Sequence, residues 1–175
     1  MTQQYIDPIK LSQSLIQCPS VTPSQAGALD LIQKILETNN FECTRLPFKE
    51  KNSPEVDNLY ASWGKGKPNL CFAGHVDVVP PGEKNLWNDD PFSGKIKNDL
   101  LFGRGAADMK SAIASFVSAA IKYISEIKNE HAGKISFLIT SDEEGPAING
   151  TKKVLEWLNK NNIKISWIMP RAIPE

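Results

Sequence analysis

Cysteine is scarce in this sequence, and its spacing excludes two classes of small stabilised domain. Cys18, Cys43 and Cys71 are odd in number and far apart, and no two of them form a Cys-x-x-Cys pair. A disulfide framework needs paired cysteines, and a structural zinc site usually needs closely spaced ones. The pattern therefore predicts reduced thiols.

The sequence also lacks an excess of charge of either sign and a long apolar run. Its 20 basic and 20 acidic residues give a formal net charge of zero, so bulk electrostatics favours neither a nucleic-acid partner nor an anionic membrane. No segment reaches transmembrane length, and residues 1–8 do not have the basic and apolar regions of a signal peptide. We therefore expect a cytoplasmic protein with no nucleic-acid or membrane partner.

What the sequence does contain is an alternation of helix and strand patterns. The 175 residues are 41% hydrophobic and 23% charged, which is typical of a domain with a core of ordinary size. Predicted helices start at Asp7-Pro8, Thr22-Pro23, Met109 and Gly150-Thr151, and predicted strands cover 41–46, 58–63, the residues before His75, 134–140 and 163–168. Residues 80–99, rich in proline and glycine, are predicted to form a long ordered loop. This order predicts an α/β three-layer sandwich with a mostly parallel central sheet.

The residues with catalytic chemistry lie at the ends of these elements. His75 and Asp77 are two residues apart at the end of an apolar strand, so both side chains point to the same side. A metal-bound imidazole usually donates its second N–H to a carboxylate, which suits a ligand and its orienting group. Asp108 and the pair Glu143-Glu144 supply further carboxylates, and adjacent glutamates can divide metal binding and general base catalysis between them. We interpret these residues as one metal centre of a hydrolase.

Each of these residues also has an ordinary structural explanation. A histidine after a strand is most often a satisfied surface or core residue, Asp108 could cap the following helix, and residues 142–144 could form a solvated acidic turn.

Gly103-Arg104-Gly105 lacks the third glycine or the Gly-Lys-Ser/Thr ending of a phosphate loop, so we reject a nucleotide site. His131 lies in a polar turn, and we expect no role for it.

Taken together, the motifs of the chain resemble a known family. They are Gly74-His-Val-Asp-Val-Val-Pro80, Trp87 with Asp90-Pro-Phe-Ser-Gly94, Leu101-Phe-Gly-Arg-Gly-Ala-Ala-Asp-Met-Lys-Ser111, and Ile139-Thr-Ser-Asp-Glu-Glu-Gly145 followed by Asn149-Gly-Thr151. In this order and spacing they resemble the di-zinc amidohydrolases related to aminoacylase and acetylornithine deacetylase, from about Leu11 to Ile168. The resemblance implies a zinc-peptidase-like catalytic domain with two Zn²⁺ ions, for which Co²⁺ is a possible substitute.

The resemblance also implies a reaction and a role for each site residue. The small-molecule substrate would be N-succinyl-LL-2,6-diaminopimelate, hydrolysed to succinate and LL-2,6-diaminopimelate in lysine biosynthesis. An acetylornithine deacetylase, a dipeptidase or a non-catalytic fragment are the alternatives. By the resemblance, His75 binds one zinc ion, Asp108 bridges both and Glu144 binds the other. Asp77 would orient His75, and Glu143 would act first as general base and then as general acid.

The resemblance ends at the last predicted strand. Family members continue into a Gly-Glu-Pro segment with another zinc-binding glutamate, then a lid domain that forms the homodimer, and finally a late histidine ligand. Here Ile168 is followed by Met-Pro-Arg-Ala-Ile-Pro-Glu175, and we assign no ligand role to Glu175 or His131. We therefore expect residues 1–168 to be the N-terminal portion of the catalytic domain and 169–175 an aberrant tail, with the lid domain absent.

A chain without the later ligands and the lid domain should differ from a whole enzyme in zinc binding, activity and solubility. With few ligands left for each metal, it should bind zinc weakly and have little or no activity. We expect it to be the product of a disrupted or truncated gene. Apolar surface that the remaining parts would cover should be exposed, which predicts poor solubility or association.

Overall fold

Most helices and strands lie close to where their local signals predict them. The computed structural model describes residues 5–127 and 132–169. Its helices are α1 (Pro8–Ile16), α2 (Ala28–Thr38), α3 (Ser111–Glu126) and α4 (Thr151–Lys160). Its strands are β1 (Glu42–Arg45), β2 (Asn58–Lys65), β3 (Asn69–His75), β4 (Ile96–Lys97), β5 (Leu100–Leu101), β6 (Gly133–Thr140) and β7 (Trp167–Met169). At the start of α1, Asp7 Oδ1 accepts hydrogen bonds from the backbone N–H of Ile9 and Lys10, so the predicted N-cap is confirmed.

Five of these strands form the central sheet, in the order β1-β2-β6-β3-β7. The pairs β6-β3 and β3-β7 are parallel, whereas β1-β2 and β2-β6 are antiparallel. A short turn over 66–68 reverses the chain between β2 and β3, and β6 lies between these two strands, so it must be antiparallel to one of them. The predicted α/β class is confirmed, and the sheet is mixed, with half of its pairings parallel.

Helices cover both faces of the sheet, which confirms the three layers. On one face, α1, α2 and α3 pack around Phe137, whose side chain is fully buried. Its ring lies 5.4 to 6.3 Å, centroid to centroid, from the rings of Phe41, Phe72 and Phe116. On the other face, α4 packs its buried Val154 and Leu158 into a smaller cluster with Tyr60, Cys71 and Leu138. The three cysteines are unpaired.

Some elements differ from their predicted positions. Residues 80–99 contain a short 3₁₀ turn at Lys84–Leu86 and the strand β4, which forms a hairpin with β5. The turn of that hairpin is Asn98-Asp99, with φ of 50° and 62°, and this conformation suits the right-handed twist of a hairpin. The helix α2 begins at Ala28 and not after Pro23, because Gly27 has a φ of +86° and interrupts the chain before it.

The last strand is shorter than predicted. Strand β7 covers three residues rather than six, and its Met169 pairs with Phe72, one residue beyond the predicted domain boundary. His131 and the predicted tail from residue 170 onward lie outside the described residues. No helix within the described part of the chain has the length and apolar character needed to cross a bilayer.

Candidate metal centre

The parallel pairing of β3 with β6 brings two sequence motifs to one edge of the sheet. The strands are in register at their ends, where His75 lies opposite Thr140. The pairing extends by one hydrogen bond of 2.9 Å, from Val76 N–H to the Thr140 carbonyl oxygen. The loops that follow the two strands therefore leave the sheet side by side. Their positions agree with the rule that sites in such folds collect at the carboxyl ends of strands.

His75 is buried, with one ring nitrogen held by the backbone. Its Nδ1 lies 2.9 Å from the carbonyl oxygen of Asp77. Because a carbonyl oxygen can only accept a hydrogen bond, Nδ1 carries a proton, and Nε2 is the nitrogen that can bind a metal. Nε2 lies 3.1 Å from Asp108 Oδ1 and 3.7 Å from Glu143 Oε2. The ring thus presents its ligating nitrogen to two predicted site carboxylates.

Asp77 contacts both halves of the site. Its fully buried carboxylate lies 3.6 Å from His75 Nδ1 and accepts backbone N–H hydrogen bonds from Glu143, at 3.2 Å, and from Glu144, at 3.0 Å. Burial alone would raise the pKa of Asp77, but the hydrogen bonds from His75 and from the two backbone amides outweigh it and lower that pKa. The role of Asp77 in orienting His75 stays a prediction, and the same carboxylate also holds the backbone of the segment that carries the two glutamates.

Asp108 reaches the site from an irregular turn, Ala106–Lys110, that precedes α3. Its φ of −127° and ψ of 97° are not helical, and α3 has Lys110 as its N-cap, without a side-chain cap. The ordinary explanation of Asp108 as a helix cap is therefore wrong. Gly105 has a φ of +82°, and a Cβ on it would lie 2.5 Å from Val78 Cγ1. This glycine lets the turn approach the loop after β3, which carries Asp108 to His75.

The turn after β6 is fixed by its own buried polar residues. Asp142 is 3% exposed and accepts hydrogen bonds from the backbone N–H of Ala147 and of Asn149, at 3.1 and 2.9 Å. Asn149 in turn donates from its side chain to Ser53 Oγ and to the Pro54 carbonyl. The alternative of a solvated acidic turn therefore fails for Asp142, whereas the Glu143 side chain is 49% exposed and accessible.

The assembled residues fit a zinc ion. Ligand atoms of His75, Glu143 and Glu144 all lie within 4.8 Å of one another, and Asp108 contacts the same imidazole nitrogen. One imidazole nitrogen and several carboxylate oxygens are a ligand set that zinc accepts, and the fixed Nδ1 supplies the outer hydrogen bond that zinc-binding histidines usually have. Within residues 5–127 and 132–169, His75 is the only histidine.

The electrostatics of the metal-free site reflect this crowding of acidic groups. Burial opposes protonation of His75, but hydrogen bonds to Asp77 and the nearby carboxylates outweigh it and raise the pKa of His75 to about 9. Burial and the neighbouring carboxylates, Asp108 first among them, raise the pKa of Glu144 against the attraction of His75. A divalent cation would relieve both effects.

Two basic residues near the site were not predicted from the sequence. Lys110 is fully buried, its Nζ donates to the Cys18 carbonyl at 2.7 Å, and burial lowers its pKa to about 8. Arg104 lies with its guanidinium over the Trp87 ring, 5.5 Å from the centroid. Lysine and arginine are usually exposed, and nothing in a single sequence signals that these two are not.

Solved structures share this architecture. Human carnosine dipeptidase 1 aligns over 96% of this chain and 38% of its own, with a TM-score of 0.75 and 18% identity. An M20 family metallo-carboxypeptidase from Sulfolobus solfataricus aligns over 95% of this chain and 37% of its own, with a TM-score of 0.68 and 22% identity. At these identities the likeness concerns the fold alone.

Curated relatives are much more similar in sequence. Succinyl-diaminopimelate desuccinylase of Rhodospirillum centenum is 56% identical over 87% of this chain and 39% of the relative. The protein of the same name from Ehrlichia canis is 52% identical over 94% of this chain and 42% of the relative. The chain thus spans about two fifths of the length of the curated relatives that it matches.

A family model gives the broader assignment. The model described as peptidase family M20/M25/M40 matches residues 71–173, which is more than half of the chain. This span contains every residue of the candidate metal centre, from His75 to Glu144. The chain therefore belongs to peptidase family M20/M25/M40.

Proposed function

We propose that this chain carries the metal-binding and proton-transfer residues of a zinc-dependent amide hydrolase that acts on N-succinyl-LL-2,6-diaminopimelate. The products would be succinate and LL-2,6-diaminopimelate. The observation that carries the proposal is the convergence of His75, Glu143 and Glu144 within 4.8 Å, with Asp108 against His75 Nε2. The substrate is proposed from the names of the similar curated proteins.

The roles of the ligands follow from their contacts. His75 Nε2, Asp108 and Glu144 would hold zinc, while Asp77 keeps the His75 proton on Nδ1. Bound zinc would act as a Lewis acid on the amide carbonyl and would acidify water. Two zinc ions, or Co²⁺ in their place, are the proposed cofactors. If Glu143 is kept for proton transfer, the described ligands are fewer than the three per ion usual for catalytic zinc, so we expect weak binding.

Glu143 is the residue best situated to move the proton. Its carboxylate lies beside His75 Nε2, yet half of its side chain is exposed, so water and substrate can reach it. It would take a proton from the attacking water and return it to the departing amine, as one group can do in both halves of an amide hydrolysis. Its backbone N–H is held by Asp77, which fixes where the side chain starts.

A hydrolysis assay with a complemented protein tests the proposal. The chain is purified with zinc and assayed for succinate release from succinyl-diaminopimelate, both alone and joined to the C-terminal remainder of the Rhodospirillum centenum relative. We expect turnover by the joined protein, little by the chain alone, and loss of about a hundredfold or more in Glu143→Gln, the usual contribution of a general base. A matched Glu83→Gln variant, changed in the exposed loop, should retain activity.

The alternatives predict different products. Release of acetate from N-acetylornithine, or cleavage of a dipeptide, in preference to succinate release would replace the proposed substrate. If a folded, zinc-loaded joined protein hydrolyses none of the three, the chain is not part of an amide hydrolase of this kind.

We further propose that the whole protein is a cytoplasmic homodimer. A cytoplasmic location is proposed because the reaction belongs to amino-acid biosynthesis and the cysteines are unpaired. The homodimer and the domain division after residue 168 also remain proposals. Sedimentation velocity of the chain and of the joined protein, each with zinc, would measure whether dimers depend on the added part.

A further inference from the structure

A small cleft opens directly beside the candidate metal centre. It has a volume of about 250 Å³, and Asp108 and Glu144 form part of its wall. The rest is Val79 and the segment 103–107, which consists of glycine and alanine apart from Arg104. A cleft of this size lies just below the range of about 300–1,000 Å³ found for small-molecule sites, so it suits one part of a ligand.

Arg104 is the only basic residue among the described residues that line this cleft. Its Nε is buried and has no hydrogen-bond partner, and no salt bridge joins Arg104 to a carboxylate anywhere in residues 5–127 and 132–169. A guanidinium has five N–H donors, and leaving a buried one unpaired costs free energy. The side chains of Asp108 and Glu144 line the same cleft. The donor is therefore available to another anion.

The position of Arg104 is fixed before any ligand arrives. Its backbone N–H donates to the Pro91 carbonyl at 2.7 Å, and its guanidinium lies over the Trp87 ring. Gly103 has a φ of +154°, and a Cβ there would lie 2.5 Å from Ile16 Cγ2, so the backbone on this side is packed tightly. A group held in place in this way loses little freedom on binding, which favours affinity and selectivity.

We propose that Arg104 binds the free carboxylate of the acyl group whose amide carbonyl faces the metal centre. This assignment rests on the proposed function, since it makes the cleft the subsite for the acyl part of the substrate. A guanidinium pairs with a carboxylate through two parallel N–H···O bonds, which fixes orientation as well as charge. A succinyl group has such a carboxylate two methylenes from its amide carbonyl, whereas an acetyl group has none. Arg104 would thus select succinyl over acetyl substrates.

Binding of the acid products tests the proposal without requiring turnover. Succinate and acetate are titrated into the zinc-loaded full chain by isothermal calorimetry or by NMR chemical shifts. Wild type should bind succinate about tenfold or more tightly than acetate, and Arg104→Gln should remove that preference, as expected for loss of a charge-assisted hydrogen bond. Arg104→Lys should retain part of it. Lys84→Gln removes an equal charge from the exposed turn before Trp87, outside the cleft, and should change nothing.

The outcomes separate this inference from the proposed function. If Arg104→Gln folds with an unchanged melting temperature and keeps the preference for succinate, Arg104 only packs on Trp87 and the inference is wrong. The same conclusion holds if wild type does not distinguish succinate from acetate. Zinc affinity, measured on the same samples by competition with a chelator, should be equal in wild type and Arg104→Gln. Absence of zinc binding in both would instead count against the proposed metal centre.

Discussion

At the scale of single residues, Asp77 is the best place to perturb the site without removing a ligand. In Asp77→Asn the side chain keeps its shape but loses the charge that faces His75 and the backbone amides of Glu143 and Glu144. We expect zinc affinity to fall about 10–100-fold, the usual cost of changing an outer hydrogen bond of a metal ligand. Competition with a chromophoric chelator measures it.

The control for this change is Asp89→Asn, which removes an equal charge from the exposed loop and its surface pair with Lys95. It should bind zinc as wild type does. An unchanged zinc affinity in a folded Asp77→Asn protein would mean that Asp77 does not support the metal centre.

His75 should couple zinc binding to protons. Burial disfavours its charged form, but Asp77 and its neighbours raise the pKa to about 9, so His75 is protonated in the metal-free chain at pH 7. Zinc must displace that proton, because only the neutral imidazole binds it. Zinc affinity should therefore rise about tenfold per pH unit up to about pH 9, with about one proton released per ion at pH 7.

Calorimetry in buffers with different ionisation enthalpies measures this proton release, and His75→Ala should show none of it. The same pKa shift affects the metal-free fold. Since the folded-state pKa lies above the usual 6.5, the stability that His75 contributes is complete below about pH 6.5 and is lost as pH rises through 9. Proton release near zero at pH 7 would contradict the proposed protonation state.

At the scale of elements, the approach of the turn Ala106–Lys110 to the loop after β3 depends on Gly105. In Gly105→Ala the new Cβ would meet Val78 Cγ1 at 2.5 Å, in addition to the strain of a φ of +82°. Gly82 has a similar φ of +78°, but a Cβ added there would have no neighbour within 4 Å, so Gly82→Ala isolates the strain alone. We expect Gly82→Ala to cost about 1 kcal/mol and Gly105→Ala about 1–3 kcal/mol more.

Urea unfolding of the two variants beside wild type measures this difference. Equal losses of unfolding free energy in both would show that the contact with Val78 is unimportant. Gly105→Ala should also weaken zinc binding, because it displaces Asp108, and Gly82→Ala should not.

The elements also show which structure a single sequence can predict. The cap at Asp7 and the apolar pattern of β6 are local signals, and they gave the correct helix and strand. The pairing of β6 between β2 and β3 depends on contacts between distant segments, so the mixed sheet could not be derived from the local patterns. The β4-β5 hairpin was missed because its strands are two residues each, although Asn98-Asp99 is a hairpin turn signal.

At the scale of the whole molecule, strand β7 forms one edge of the described sheet with its apolar side chains exposed. Trp167, Ile168 and Met169 are 59%, 48% and 44% exposed, and an apolar unpaired edge favours association. We expect the chain to self-associate as its concentration rises, and Ile168→Lys to reduce this several-fold because a charge on an edge strand opposes pairing. Leu86 is also apolar and is 80% exposed, but it lies outside β7. Leu86→Lys introduces the same charge there and should not reduce self-association.

Sedimentation velocity over a concentration series measures both variants. Two results would show that the edge of β7 does not cause self-association. Wild type could stay monomeric at every concentration, or Leu86→Lys could reduce association as much as Ile168→Lys does.

Some residues of the candidate site could be proposed from the sequence, and their roles stay predictions. His75, Asp108 and Glu144 could be proposed because imidazole and carboxylate groups are common zinc ligands, and these residues stand next to glycines and strand ends. The hydrogen bonds that the Asp77 carboxylate accepts from the backbone amides of Glu143 and Glu144 could not, since they join residues 66 and 67 positions apart. Lys110 and Arg104 were missed because the full burial of Lys110 and the partial burial of Arg104 depend on the whole fold.

The side-by-side ends of β3 and β6 would make the candidate metal centre a reporter of the folded state. His75 and Glu144 come together only when those two strands pair in register, so an unfolded chain offers zinc no preformed site. A ligand that binds only the folded form stabilises it by about 2.7 kcal/mol at a hundred times its dissociation constant. The melting temperature should therefore rise with zinc concentration, and a chelator would act on this chain as a mild denaturant.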